Sequence, residues 1–207
     1  MSFDIELSNP FTSGADELFY GGPGQGGHMG ASWPIAFGMD LGAPEGTEAL
    51  AAFDGKVTSI FRPSSPSGGI YGDQITIRQN PNSPGGIGAF YTHLDTSVSV
   101  GSFVSRGDVV GRIIGFGGIP KHLHIALAER VNNVYTGVNL YDHFKATVNT
   151  DIILVVRFFQ NGNPPQVVDF RSKSQEETER YQAALSSLAE SEYSNTWTCA
   201  PEPVAVG

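Results

Sequence analysis

Glycine and proline break the first 130 residues of this chain so often that long helices have no room there. What such a segment can form is a set of short strands joined by turns. The runs between the breakers read that way. "DQITIRQ" alternates, with Ile75 and Ile77 on one face and polar groups on the other. "AFYTHL", "VSVGSFVSRGDVVGRIIG" and "HLHIALAE" follow as further strands, and Asp54-Gly55 inside "ALAAFDGKVTSIF" reads as the turn of a hairpin. Residues 1–35 read as an irregular, turn-rich lead. The expected fold class is mainly β: an antiparallel, twisted sheet or sandwich core.

Past residue 131 the character changes. "NLYDHFKA" suggests a short helix and "DIILVVRFF" a buried strand. In "SKSQEETERYQAALSSLAESE", Ser172 or Ser174 can cap a helix, acids crowd its first turn, and Tyr181, Leu185 and Leu188 fall on one side. The expected organisation is a core over residues 1–131 and a small α+β extension over 132–207, packed on that core because an exposed "IILVV" run would invite aggregation. A length of 207 residues suits one elaborated domain.

Charge narrows the partners. The formal net charge is −9, and the 12 lysines and arginines form no basic run, so nucleic acid is a poor ligand. No apolar run approaches the roughly 20 residues of a membrane span. The opening "MSFDIELSNPF" lacks the basic and apolar regions of a signal peptide. With Cys199 the single cysteine, a thiolate zinc cage is excluded, and any metal site must be built from His, Asp and Glu.

There are five histidines. His122 and His124 flank Leu123 at the head of a strand, so their rings project from one face, roughly 6–7 Å apart. Alone, this pair is better explained by two polar positions on a solvated strand face. His93 in "FYTHLD" could be a structural histidine hydrogen-bonded to a loop. His28 lies in "GGHMG", a loop free enough to swing towards a ligand or to do nothing. Asp40 in "FGMDLGAP" could simply serve a turn. His143, in "YDHF", reads as surface or helix packing. Tyr91 lies two residues before His93, where it could reach a shared site or sit in the core as an ordinary aromatic.

Taken in order, "GGH…WPIAFGMDLGAPEGTEALAAFDGKV", "FYTHL", "VSVGSFVSRGDVVG" and "KHLHIAL" resemble the zinc endopeptidases of the lysostaphin and β-lytic type, which cut peptide bonds in bacterial cell-wall peptidoglycan. The resemblance covers approximately residues 20–130. It implies that Asp40 and His124 are zinc ligands and that His93 and His122 are the two active-site histidines that do not bind metal. In lysostaphin-type members the first ligand lies four residues before the aspartate, where this chain has Ala36. In the β-lytic branch it comes from a glycine-rich loop about a dozen residues upstream, and His28 matches that arrangement. The implied site is one zinc per chain on His28, Asp40 and His124, with an open fourth position.

No His-Glu-x-x-His motif is present, so His93 and His122 are expected to share the roles of general base and oxyanion stabiliser. The resemblance implies a peptidoglycan or Gly/Ala-rich peptide substrate and an extracellular or periplasmic location. The glycine-rich loops "PSSPSGGIYG" and "NPNSPGGIG" are expected to shape the cleft. The β-lytic branch is usually disulfide-bonded, which this chain cannot be within itself. A second reading is a non-catalytic member of the same fold that binds cell-wall peptide or regulates a partner hydrolase. Biotinyl and lipoyl carrier domains, which "VSVGSFVSRGDVVG" also resembles, are rejected because none of Lys56, Lys121, Lys145 or Lys173 has the setting of a modified lysine.

Overall fold

The computed structural model describes residues 2–29, 32–63, 71–79, 86–131, 134–159 and 163–188. Most of both glycine-rich loops, and Cys199, lie outside the described residues.

The strands in chain order are β1 (Phe3–Ser8), β2 (Phe19–Gly21), β3 (Gly38–Gly42), β4 (Glu48–Leu50), β5 (Gly55–Phe61), β6 (Asp73–Arg78), β7 (Ile87–Thr96), β8 (Phe103–Val104), β9 (Val109–Ile113), β10 (His122–Val131), β11 (Val134–Gly137), β12 (Ile153–Phe158) and β13 (Gln166–Arg171). Among the described residues three α-helices accompany them: α1 (Trp33–Ala36), α2 (Tyr141–Thr147) and α3 (Gln175–Leu188). The protein is therefore mainly β, as its punctuation predicts, and every strand pair is antiparallel.

The larger sheet runs β2-β3-β10-β7-β6-β5-β8, with β11 beside the far end of β10 and β9 bridging β4 and β7. β10 is its central strand. Leu123, Ile125 and Leu127 enter the main core with Met39, Leu41, Ile75, Ile77 and Tyr91. The alternate residues His122, His124, Ala126 and Ala128 lie on the opposite face, as a period of two requires. There Ala126 and Ala128 are covered by Trp33 and Phe37, and Trp33 stacks on Tyr135 with ring centroids 5.3 Å apart. Both faces of β10 are thus buried, but only one is apolar throughout.

The smaller sheet, β1-β12-β13, joins the two ends of the described chain. β1 pairs with β12 from Phe3↔Phe158 to Ser8↔Ile153, and Asp4 accepts two hydrogen bonds from Arg157 at 2.8 and 2.9 Å. The buried cluster is continuous from Met39 and Tyr91 through Phe11 to Phe144, Val156 and Tyr181.

Several expectations are met. "NLYDHFKA" contains α2, "DIILVVRFF" contains the buried β12, and α3 is capped by Ser174, whose hydroxyl accepts the Glu177 N–H at 3.1 Å. Tyr181 is fully buried and Leu185 packs on the core.

Others are corrected. Residues 1–35 are not wholly irregular: Phe3, Ile5 and Leu7 alternate with acids and form β1, and β2 follows. Asp54-Gly55 is not a hairpin tip. β4 pairs with β9, whereas β5 pairs with β6 and β8. Gly55 does not take the left-handed conformation such a turn needs. It is small because a Cβ there would meet Ile77 Cγ2 at 2.7 Å.

Candidate metal centre

β3 and β10 lie side by side with Asp40 directly opposite His124. Asp40, His124 and, two residues earlier, His122 therefore share the sheet face away from the core. His28 comes from elsewhere. It ends a 3-10 turn, Gly26–His28, that lies against β2 and drops the ring onto this face, leaving His28 only 4 % exposed.

The result is a triangle of donor atoms. His124 Nδ1 lies 2.9 Å from Asp40 Oδ1, His28 Nε2 lies 3.1 Å from the same oxygen, and the two nitrogens are 3.3 Å apart. These three residues are a group able to hold one metal ion.

Main-chain carbonyls decide which ring nitrogens carry hydrogen. His28 Nδ1–H donates to Gly22 O at 2.9 Å, and His124 Nε2–H donates to Pro34 O at 2.7 Å. A carbonyl can only accept, so each neutral ring turns its unprotonated nitrogen inward. The Pro34 carbonyl is available because the last carbonyls of a helix as short as α1 have no partner along it. Two lone pairs and a carboxylate oxygen then converge with no hydrogen among them. Acceptors this close repel unless a cation sits between them. Ligands about 2.0–2.1 Å from a tetrahedral zinc stand roughly 3.3 Å apart, which this triangle approaches. A second ring nitrogen anchored to a carbonyl is also the usual support of a metal-binding histidine.

Without a metal, a proton is the nearest substitute. Burial alone would raise Asp40, but hydrogen bonds from His124 and His28 hold its carboxyl well below the usual carboxylate range. Burial alone would depress His28, but the Asp40 carboxylate outweighs it and raises the imidazole above its ordinary value.

His93 and His122 complete a group of four imidazoles. His122 Nδ1–H donates to Pro120 O at 2.7 Å, which leaves its Nε2 3.6 Å from Asp40 Oδ1. His93 Nδ1–H donates to Tyr71 O at 2.9 Å, and its ring centroid is 4.7 Å from that of His122 and 6.3 Å from that of His124. Burial, assisted by the neighbouring His122 and His124, pushes His93 down to about 4, so it is neutral at neutral pH.

A β-bulge sets the direction of His93. β6 and β7 pair at Ile75↔Tyr91 and again at Asp73↔Leu94, so Thr92 and His93 together face the single residue Gln74. His93 takes φ +70°, a left-handed conformation that histidine tolerates better than most residues. The bulge breaks the alternation that would place Tyr91 and His93 on one face. Tyr91 is fully buried in the core, where its hydroxyl accepts the Ala52 N–H at 2.9 Å, and it is not part of the site. His143 also lies apart, with Nδ1 2.8 Å from the Tyr181 hydroxyl.

Sequence reasoning overlooked the surroundings of the imidazoles. Tyr71 and Phe116 stack with centroids 4.8 Å apart, Phe116 lies 4.8 Å from His93, and the Tyr20 ring lies 6.0 Å from His122. Gly38 was missed too, although its signal was present. It lies two residues before Asp40 on one strand, hence on the face that carries Asp40 and His124. A Cβ at Gly38 would stand 2.3 Å from His124 Cε1 and 2.7 Å from His28 Cδ2. Gly38→Ala is expected to displace both rings, to weaken any zinc held by this group at least tenfold and to destabilise the fold by about 1–3 kcal/mol. Chelator competition and thermal melts of the metal-free protein measure the two effects.

Residues 35–136 match the family model for peptidase family M23. Asp40, His93, His122 and His124 lie inside the matched segment, whereas His28 precedes it. Among solved structures, LytU is similar at 29 % identity over 45 % of this chain and 61 % of its own, with a TM-score of 0.37. The catalytic domain of the antimicrobial peptidase lysostaphin from Staphylococcus simulans is similar at 24 % identity over 62 % of this chain and 90 % of its own, with a TM-score of 0.44. A zinc containing peptidase from Vibrio cholerae is similar at 19 % identity over 64 % of this chain and 39 % of its own, with a TM-score of 0.43. The chain thus spans less than two thirds of LytU and of the Vibrio cholerae peptidase. No curated protein matches the chain.

Proposed function

Residues 35–136 belong to peptidase family M23, and from that premise we propose that the protein is a zinc-dependent endopeptidase acting on bacterial cell-wall peptidoglycan. The bond cut is a peptide bond of the cross-links, in a strand rich in glycine or alanine, and the site of action is extracellular or periplasmic. Among the described residues no helix is long and apolar enough to cross a membrane.

One observation supports the zinc site above the others: two imidazole lone pairs and a carboxylate meet where no hydrogen stands between them. In this reading His28, Asp40 and His124 hold one zinc ion per chain. Zinc, when bound, supplies an electrophile for the scissile carbonyl and lowers the pKa of water. His93 and His122 do the proton work. Each has Nδ1–H tied to a carbonyl, which leaves Nε2 free to accept a proton from the attacking water. Once protonated, the same nitrogen can donate to the oxyanion or to the departing amine. The two histidines share these duties. Tyr71, Phe116 and Tyr20 flank them and offer aromatic faces beside the two imidazoles.

The same reading takes residues 1–131 as the peptidase core and residues 132–207 as an extension packed on it, with β1 completing the extension's sheet. The continuous buried cluster supports that packing.

Purified protein is expected to carry about one zinc per chain and to clear cell-wall preparations in a zymogram. Clearing should stop with a chelator and return with added zinc. A zinc-loaded protein that leaves cell walls intact would favour the non-catalytic reading instead, and a protein that takes up no zinc would end the metal hypothesis.

A further inference from the structure

The matched family segment leaves out both His28 and everything after residue 136. These two parts meet at Tyr141. This tyrosine begins α2, where the Asn139 side-chain oxygen accepts its backbone N–H at 3.1 Å. Its hydroxyl accepts the Gly21 N–H at 3.0 Å. Its ring lies so close to the next glycine that a Cβ on Gly22 would stand 2.7 Å from Tyr141 Cδ1. Phe19, at the start of the same short strand, meets the ring edge-on with centroids 6.2 Å apart.

The end of this strand and the glycine after it touch two of the candidate ligands. Gly21 pairs with Asp40 across β2 and β3, and the Gly22 carbonyl accepts the Nδ1–H of His28 at 2.9 Å. The loop's other ties run through Gln25, whose carbonyl accepts the His28 N–H at 2.9 Å. Gln25 spans it, with its side-chain oxygen accepting the Gly22 N–H at 3.0 Å and its backbone N–H returning to Gly22 O at 3.0 Å. Glycine-rich backbone as free as "YGGPGQGGH" would otherwise lose considerable entropy on presenting a ligand.

We infer that Tyr141 is a positioning residue for His28: by clamping Gly21 and Gly22 it fixes the carbonyl that orients the first zinc ligand, so the segment beyond the family domain completes the metal centre. The inference rests on the zinc reading above. An outer partner that orients a metal-binding histidine is typically worth 10–100-fold in metal affinity, and a residue one bond further out belongs near the lower limit.

The test uses the full chain and zinc itself, with affinity measured by competition against a chromophoric chelator and folding followed by circular dichroism. Tyr141→Phe removes only the hydroxyl and is expected to weaken zinc binding about tenfold while the metal-free protein stays folded. Gly22→Ala, which pushes on the ring, is expected to weaken it at least as much. His143→Gln is the control. It breaks the α2–α3 contact to Tyr181 without touching the loop, and its zinc affinity is expected to equal that of the wild type. Wild-type affinity in Tyr141→Phe overturns the inference, and so does an equal loss in His143→Gln, which would mean that α2 acts only through general stability. If Gly22→Ala does not fold, the other two variants decide. A wild-type protein that binds no zinc overturns the zinc reading and this inference together, which separates the two failures.

Discussion

Replacing His28 by alanine is expected to empty the zinc site. Bound zinc should fall from about one per chain to a small fraction, with affinity reduced well beyond the roughly 10–100-fold that loss of an outer partner causes. The physical reason is the short donor set. Among the described residues His28, Asp40 and His124 are the group whose donor atoms converge, and removing one leaves a two-ligand site open to water on two sides. The fold should survive, because His28 lies on a short turn rather than in a strand and takes no part in the main cluster. Metal analysis after gel filtration, with thermal melts alongside, checks both halves. Retained zinc would mean that another donor supplies the third bond.

The second large effect separates binding from catalysis. His122→Ala is expected to retain zinc and to lower the rate of cell-wall hydrolysis by about 10²–10⁴-fold, the range general acid–base groups contribute. His93→Asn should do the same. Asparagine is the better probe at that position because it accepts the positive φ of the bulge, so the backbone is spared while the base is removed. Both variants need zinc analysis and turnover on the same preparation. Loss of metal in either would assign that histidine to the binding set, and full activity in both would remove them from the mechanism.

Much of this site can be read from the sequence because a strand's period of two is an exact geometric rule. "HLH" puts His122 and His124 on one face and Leu123 in the core, and both follow. The rule fails where the backbone leaves the strand. A single extra residue opposite Gln74 turns His93 away from the face of Tyr91, and no local propensity marks where a bulge will fall. Long-range pairing is equally hidden. "FDIELS" alternates well enough to suggest a strand, yet nothing in it names a partner about 150 residues away in "ILVVRF". The Asp54-Gly55 turn misleads for the opposite reason. Its chemistry suits a hairpin, but close packing on Ile77 is a competing use for a glycine. Tyr141 has no signal of its own, since its role exists only once the loop before His28 folds against it.

The four rings of this site each have one nitrogen tied to a main-chain carbonyl. Peptide carbonyls are supplied by every residue type, so substitutions at positions 34, 71 and 120 change the wall of the site without turning the imidazoles, provided the backbone path is kept, whereas position 22 is held to glycine by the Tyr141 ring. Such an arrangement separates what is recognised from what reacts. At the three substitutable positions the site is therefore sensitive to insertions and deletions that shift the backbone path more than to a change of side chain.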